Sequence, residues 1–322
     1  MKNNNKMYSL GFFSGVGGID KGAKKAGFTP LLGSDIWPIA ETAFNLNKPG
    51  IAGHDPLDYK ASDGIFLGGK ENGDITRMSF ELVRAEIRNQ LAIDLHQGDV
   101  DLVYGGPPCQ GMSKANSYAS PTDPKNRLII DYLRMINEIK PKVAVMEQVP
   151  DVITSDFISV LNNILFQLKC MPDYTFDWRP LNSKFYGSRQ DRLRAIFILV
   201  RKDLKVEPSF PAGVEPDMET ISMDKLLPHI THYSSGQFQD FINSTKNRVC
   251  PTITASASEW VYEKSGIRRK MTLKEKLIFT ELEGLNLEGI SVVNQNRLLG
   301  NMVQISFAEA IFRHIRKRIL KR

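Results

Sequence analysis

The 322-residue sequence has only three cysteines, Cys109, Cys170 and Cys250, and no two of them form a C-x-x-C pair. So sparse and odd a set excludes a disulfide framework and a cysteine-based zinc site, and a reducing cytoplasm is the expected setting. No apolar run approaches the ~18 residues that a bilayer crossing needs, so no membrane partner is expected. Met1 to Lys6 is a polar Asn/Lys stretch with no hydrophobic region behind it and reads as a frayed terminus, not a signal peptide. Low-complexity tracts are missing too, and no metal site is expected. What remains is ordinary globular material, 42% hydrophobic and 24% charged, enough for one large α/β domain and a smaller lobe. The formal net charge of +6 is compatible with a polyanionic partner, and equally with a mildly basic enzyme.

Four short apolar segments, Met7 to Phe13, Pro30 to Ile36, Val100 to Tyr104 and Lys142 to Glu147, end in Gly, Pro or acidic residues and read as buried parallel strands. Helical periodicity links the first pair over Gly18 to Ala26 and the last over Asn126 to Ile139. This alternation predicts a doubly wound, Rossmann-like α/β sheet. Tyr174 to Arg179 and Ala195 to Arg201 are joined by a loop too short for a helical crossover, which makes them an antiparallel pair and the sheet mixed. Between Lys202 and Asn247 the pattern breaks into Pro, Gly, Ser and His, with one weak helical patch at Met223 to Leu227. Residues 1–201 are therefore expected to form a catalytic and cofactor-binding domain, 202–270 a small recognition lobe, and 271–322 a segment completing the first domain. In that last segment Ile305 to Leu320 has the spacing of an amphipathic helix with a basic outer face.

The first strand runs into Phe13-Ser14-Gly15-Val16-Gly17-Gly18, a Gly-rich turn opening a helix, where backbone can approach a ligand and free N–H groups can meet an anion. Its spacing is not the dinucleotide fingerprint, which disfavours a nicotinamide cofactor. The second strand ends at Asp35-Ile36, and an acid there suits a ribose diol. Asp74 and Ile75, after Gly73, are types that receive an adenine amino group and pack on its ring; in isolation they would read as a surface turn.

Gly105-Gly106-Pro107-Pro108-Cys109-Gln110-Gly111 follows the third strand at the carboxyl edge, where open sheets bind ligands. Gly-Gly-Pro-Pro is poor core material, which disfavours a packing role for the thiol. With this frame the chain resembles the cytosine-C5 DNA methyltransferase family over nearly its whole length. The matching blocks run in order: Phe13 to Gly18, Asp35, Asp74-Ile75, the Pro-Cys-Gln loop, Asn126-Arg127-Leu128, Gln190-x-Arg192-x-Arg194, Arg248 with Pro251-Thr252-Ile253-Thr254, and Gly300-Asn301-Met302-Val303.

The resemblance implies S-adenosylmethionine as methyl donor, leaving as S-adenosylhomocysteine. Its implied contacts are Phe13, Ser14, Gly15, Gly17, Gly18, Asp35, Ile36, Asp74, Ile75, Gly105, Pro107, Leu128, Asn301 and Met302. It implies double-stranded DNA as partner, a cytosine rotated out of the stack, and attack by the Cys109 thiolate on C6, because C5 is too poor a nucleophile unaided. Glu147 would share a proton with N3, Arg194 would hold O2, and Arg192 would orient Glu147 and the cysteine loop. Gln110, Ser113, Gln148, Gln190, Arg248 and Thr252 are the implied substrate-side residues. A monomer is expected, possible partners include a cognate restriction endonuclease, and the implied location is cytoplasmic, at the nucleoid.

Two departures stand out. Gln148 occupies a place where the family usually has Asn, so the hydrogen bond that positions the cysteine loop must be remade with a shifted partner. The stretch available for base reading is short, chiefly His229 to Asn247 with His232, Tyr233, Gln237 and Gln239, so help from Glu259 to Lys270 is implied. A tRNA cytosine-C5 methyltransferase and a degenerate nucleic-acid-binding module are the alternatives.

Overall fold

Five apolar runs form a parallel core: β1 (Tyr8–Phe12), β2 (Thr29–Asp35), β3 (Ile65–Gly68), β4 (Leu102–Gly105) and β5 (Val143–Gln148). They belong to a computed structural model that describes residues 6–47, 64–108, 127–235, 242–256 and 259–321. The sheet continues with β6 (Tyr174–Asn182) and, beyond the two-residue β7 (Gln190–Asp191), with β8 (Leu193–Arg201). Its order is β3-β2-β1-β4-β5-β8-β6, and β8 is antiparallel to both of its neighbours. The mixed doubly wound sheet is thus as expected. β3 is an addition: four residues between glycines give too short a run to stand out as a strand, and its pairing with β2 supplies what its length does not.

The helices fill the crossovers: α1 (Gly18–Lys25), α2 (Pro38–Leu46), α3 (Gly69–Asn72), α4 (Phe80–Leu91), α5 (Leu128–Ile139) and α6 (Ile158–Lys169). Their apolar faces divide between the two sides of the sheet. Val83, Ile136 and Ile164 from α4, α5 and α6 pack into one core with Leu10, Val103 and Phe197. On the other side Ala23 of α1 joins Tyr104, Val145 and Ile198.

After two four-residue helices, α7 (Met218–Ile221) and α8 (Met223–Leu226), the chain forms a second sheet from β9 (Ile230–Ser235), β10 (Asn243–Ser244), β12 (Glu259–Glu263) and β13 (Arg268–Lys270). β11 (Cys250–Pro251) instead pairs in parallel with β7. The chain then returns through α9 (Leu273–Phe279), α10 (Val292–Asn301) and α11 (Ile305–His314), whose last turn loosens into a π-helix at Ile315–Ile319. The expected apolar stripe of that helix is buried at Ile305, Ala308, Ile311, Phe312, Ile315 and Ile319. Its basic face is partly spent inside the protein. Arg316 donates to the Ala26 carbonyl, where a cation suits the C-terminal end of α1.

Candidate active site

The C-terminal edge of the parallel strands is where the chemistry-bearing residues gather. β1 ends in a turn that reverses through positive φ at Phe13, Gly15 and Gly17, with Gly17 closing on the Ser14 carbonyl at 2.8 Å. A Cβ on Gly15 would meet nothing within 4 Å, so the turn faces open space, as a ligand cradle must. A Cβ on Gly18 would lie 2.3 Å from the Val303 carbonyl oxygen. The missing side chain lets the Met302-Val303 segment lie against the start of α1, which brings the first and last sequence blocks together.

Asp35 ends β2 beside this turn. One carboxylate oxygen accepts the Gly15 N–H and the other the Trp37 N–H, both at 2.9 Å. Burial pushes its carboxyl up from the ordinary range, against the pull of those two N–H groups. A carboxylate has about four lone-pair sites, so acceptor capacity for a diol remains. Gly73 lies directly against Asp35, where an added Cβ would be 2.1 Å from the Asp35 carbonyl oxygen. Asp74 then turns its own backbone, accepting from the Thr76 N–H at 3.0 Å and the Thr76 hydroxyl at 2.8 Å. Ile75 is buried in the core with Phe80 and Val83, and its carbonyl accepts from Arg134. Ile36, by contrast, is 42% exposed next to Asp35. Leu128 opens α5 and packs against the same core.

Two strands along the edge, Gly105 ends β4 against the Phe12 carbonyl and the Tyr132 ring. The following Gly106 and Pro107 run beside the end of β5. A Cβ on Gly106 would sit 3.1 Å from Glu147 Oε2, and Gln148 Nε2 donates to the Pro107 carbonyl at 3.0 Å. The amide at position 148 thus does remake a bond to the approach of the cysteine loop, with Pro107 as its partner. Cys109, Gln110 and Ser113 lie outside the described residues. Of the other two thiols, Cys250 is buried and pushed well up by desolvation, while Cys170 ends α6 at the surface.

The contact with Glu147 expected of Arg192 is made by Arg194. Arg194, next to the β5–β8 pairing, is the one bound to Glu147, with Nε 2.6 Å from the carboxylate and both side chains largely buried. Arg192 instead donates to the Ile253 and Gly300 carbonyls at 3.2 and 2.8 Å, and it orients neither Glu147 nor the cysteine approach through these bonds. Gln190 is likewise a tie: its amide donates to the Phe279 carbonyl and accepts from the Ile253 N–H, each at 3.0 Å, in a wholly buried place. Thr252 donates to the Asp191 carbonyl at 3.0 Å, and Arg248 is exposed near Tyr233. A fully buried glutamine so engaged has no room for substrate. The register of β7 with β11 decides this, and residue type alone does not announce it.

In the small sheet His232 and Tyr233 point to opposite faces, as alternation demands. Tyr233 packs toward the core of the lobe with Val261, whereas His232 lies opposite Tyr262 on the exposed face. The Arg268 guanidinium sits 4.3 Å from the Trp260 ring and 5.8 Å from that of Tyr262, and Lys270 Nζ is 5.7 Å from Trp260. Within the segment expected to help in base reading, Glu259 itself is buried. Gln237 and Gln239 lie outside the described residues.

Sequence reasoning passed over Asp20 on α1. It is 3% exposed, accepts from Ser14 and Tyr104, and desolvation pushes its carboxyl up to about 7. The only signal was an acid in a first helical turn, which ordinarily reads as a dipole complement at the surface. Among the described residues no group of three His, Cys, Asp or Glu is arranged to hold a metal ion, and no helix is long and apolar enough to cross a membrane.

The mixed sheet is a doubly wound α/β fold whose strand order reverses between β1 and β4, and the Gly-rich turn and the acidic strand end lie at that point, where open α/β sheets bind their ligands. The solved structures sharing the fold include a prophage-encoded E. coli protein assigned as a DNA modification methyltransferase (TM-score 0.67, 19% identity, 98% of this chain and 100% of that one). Residues 7–304 match the family described as C-5 cytosine-specific DNA methylase, and the chain belongs to that family. Its relatives include the type II methyltransferase M.NgoPII of Neisseria gonorrhoeae, 28% identical over 65% of this chain and 52% of that protein. Another is M.DdeI of Desulfomicrobium norvegicum, 25% identical over 93% of this chain and 67% of that protein. The match thus spans about half the length of some of these relatives.

Proposed function

We propose that this chain is a DNA cytosine-5 methyltransferase that uses S-adenosylmethionine, with Cys109 as nucleophile. The observation that carries the reading is the Glu147–Arg194 ion pair, set 2.6 Å apart beside Gly106 and Pro107, which lead directly to Cys109. The bacterial relatives are named type II methyltransferases, which supports DNA as substrate and a modification role.

The cradle fits the cofactor: a turn open above Gly15, a carboxylate at Asp35 with spare acceptor sites, and the exposed Ile36 for the adenine face. When bound, S-adenosylmethionine supplies an electrophilic methyl group. The chain's own residues prepare the base. The Cys109 thiolate adds to C6, and the charge this sends to N3 is met by a proton shared with Glu147. Arg194 fixes the Glu147 carboxylate through Nε while Nη1 donates to the Leu193 carbonyl, which leaves Nη2 as the group to take the cytosine O2. Gln148 holds the Pro107 carbonyl and so the entry of the cysteine loop.

Incubation with duplex DNA containing 5-fluorocytosine tests the reading. The expected result is a covalent protein–DNA adduct that requires the cofactor and disappears in Cys109→Ser. Glu147→Gln is expected to slow adduct formation on the order of 10²-fold or more. Methylation-sensitive sequencing that finds 5-methylcytosine in RNA substrates and in no DNA context would overturn DNA as the substrate.

A further inference from the structure

Asp20 reaches from the first turn of α1 into the sheet, under the turn that cradles the cofactor. Its entry depends on two glycines in neighbouring strands. A Cβ on Gly11 would lie 2.4 Å from Asp20 Oδ1, and one on Gly33 would lie 3.5 Å from the same atom. Oδ1 accepts from the Ser14 hydroxyl at 3.2 Å and the Tyr104 hydroxyl at 3.1 Å, and Ser14 Oγ in turn accepts the Ser34 N–H at 3.3 Å. One carboxyl oxygen thus ties the turn, β2 and β4 together.

Oδ2 is different. It is buried and has no hydrogen-bond partner among the described residues. Asp20 lines a small cavity with Phe44, Phe66, Gly33 and the turn residues Gly15, Val16 and Gly17 themselves. The titratable groups facing it are Tyr104 from β4 and the carboxylate of Asp35 from β2. α11 meets α1 through an apolar contact of Ala308 at Gly22, and no cation forms an ion pair with Asp20 among the described residues. A buried carboxyl facing a second carboxylate and no cation holds its proton until a positive charge arrives nearby.

We propose that Asp20 is a positioning residue that makes the cofactor cleft selective for charge: ionised, it favours the cationic sulfonium donor over its neutral thioether product, and it regains a proton when the cation leaves. This rests on the cofactor reading above. The lowered dielectric beneath the turn lets the carboxylate act at a distance without touching the ligand. The proton balance is simple, since binding of the cation releases the Asp20 proton to solvent and loss of the methyl group takes one back.

Calorimetric titration with S-adenosylmethionine and, separately, S-adenosylhomocysteine between pH 6 and 8.5 tests it. Wild-type affinity for the sulfonium is expected to rise roughly tenfold across that range while affinity for the thioether changes little, with proton release visible as a dependence of binding heat on the buffer. Asp20→Asn is expected to flatten the pH dependence and to lose most of the preference. Tyr104→Phe removes one donor to the carboxylate and is expected to move the transition to higher pH, which keeps the proposal testable should Asp20→Asn fold poorly. A preference that does not vary with pH in the wild type, or that survives intact in Asp20→Asn, overturns this inference alone. Binding of neither ligand by the wild type overturns the cofactor reading and this inference with it.

Discussion

The cofactor edge of the large sheet and the base of the small lobe each bury carboxylates, and treat them in opposite ways. At the cofactor edge Asp20 has hydroxyl donors and, among the described residues, no cation, and burial pushes it up to about 7. In the lobe Glu275 is almost as buried but meets Arg269 through two bonds, His229 through one and the Thr272 cap through two more, and these hold it down at about 2. Nearby, Glu259 and Lys276 form a pair in which both side chains are 3% exposed, 2.8 Å apart, and Lys276 also donates to Asn296 on α10. One region leaves a buried carboxyl with an oxygen that has no partner among the described residues. The other pairs Glu275 with Arg269 and Glu259 with Lys276, as befits a joint between β12, α9 and α10.

The sharpest break in that comparison is at the joint. Lys276→Met strands Glu259 in the interior and is expected to cost about 3–5 kcal/mol by denaturant unfolding. Replacing both partners, Glu259→Leu with Lys276→Met, should recover much of that loss, because the desolvation cost goes with the charges. If the single and double variants are equally unstable, the pair is not what holds the joint.

The pH profiles should differ in sign. Asp20 keeps its proton to higher pH in the folded chain than in the unfolded one, so its contribution to stability is present below about pH 4 and is lost as pH rises toward 7, up to roughly 4 kcal/mol. Glu275 has a depressed folded value, so its contribution is present above about pH 4.5 and is lost as pH falls toward 2. Urea titrations of the wild type and Asp20→Asn from pH 4 to 8 check the first sign. A wild-type curve parallel to that of the variant would contradict it.

A smaller effect is expected from Arg269→Ala, about 1–3 kcal/mol, since the guanidinium is partly exposed and water can replace some of its bonds to Glu275. The same substitution should move acid unfolding to higher pH, whereas Asp20→Asn should not. Smallest is Gln148→Ala, about 1 kcal/mol for the lost bond to Pro107, with slower trapping on 5-fluorocytosine and unchanged cofactor binding.

Much of the frame was legible before any coordinates. Apolar runs with period two or none, and a helix stripe such as Ile305 to Ile319, report burial directly, because burial acts on each residue's own side chain. The Gly-rich turn and Asp35 were legible for the same reason: a strand end and a positive-φ turn are local events. β3 escaped because its four residues become a strand only by pairing with β2. Gln190 and Arg192 were read as substrate-side or catalytic, yet they bind Ile253, Phe279 and Gly300, residues far along the chain whose nearness no local pattern encodes.

The sequence by itself therefore determined the class of sheet, the order of the motif blocks and the residue types gathered at the carboxyl edge. Tertiary structure alone decided which arginine meets Glu147, that Ile36 and not Ile75 faces outward, and that Asp20 meets no cation among the described residues. Each of these turns on which groups share a buried volume. Hydrogen bonds and charges inside a protein are governed by neighbours in space, and a sequence lists only neighbours along the chain.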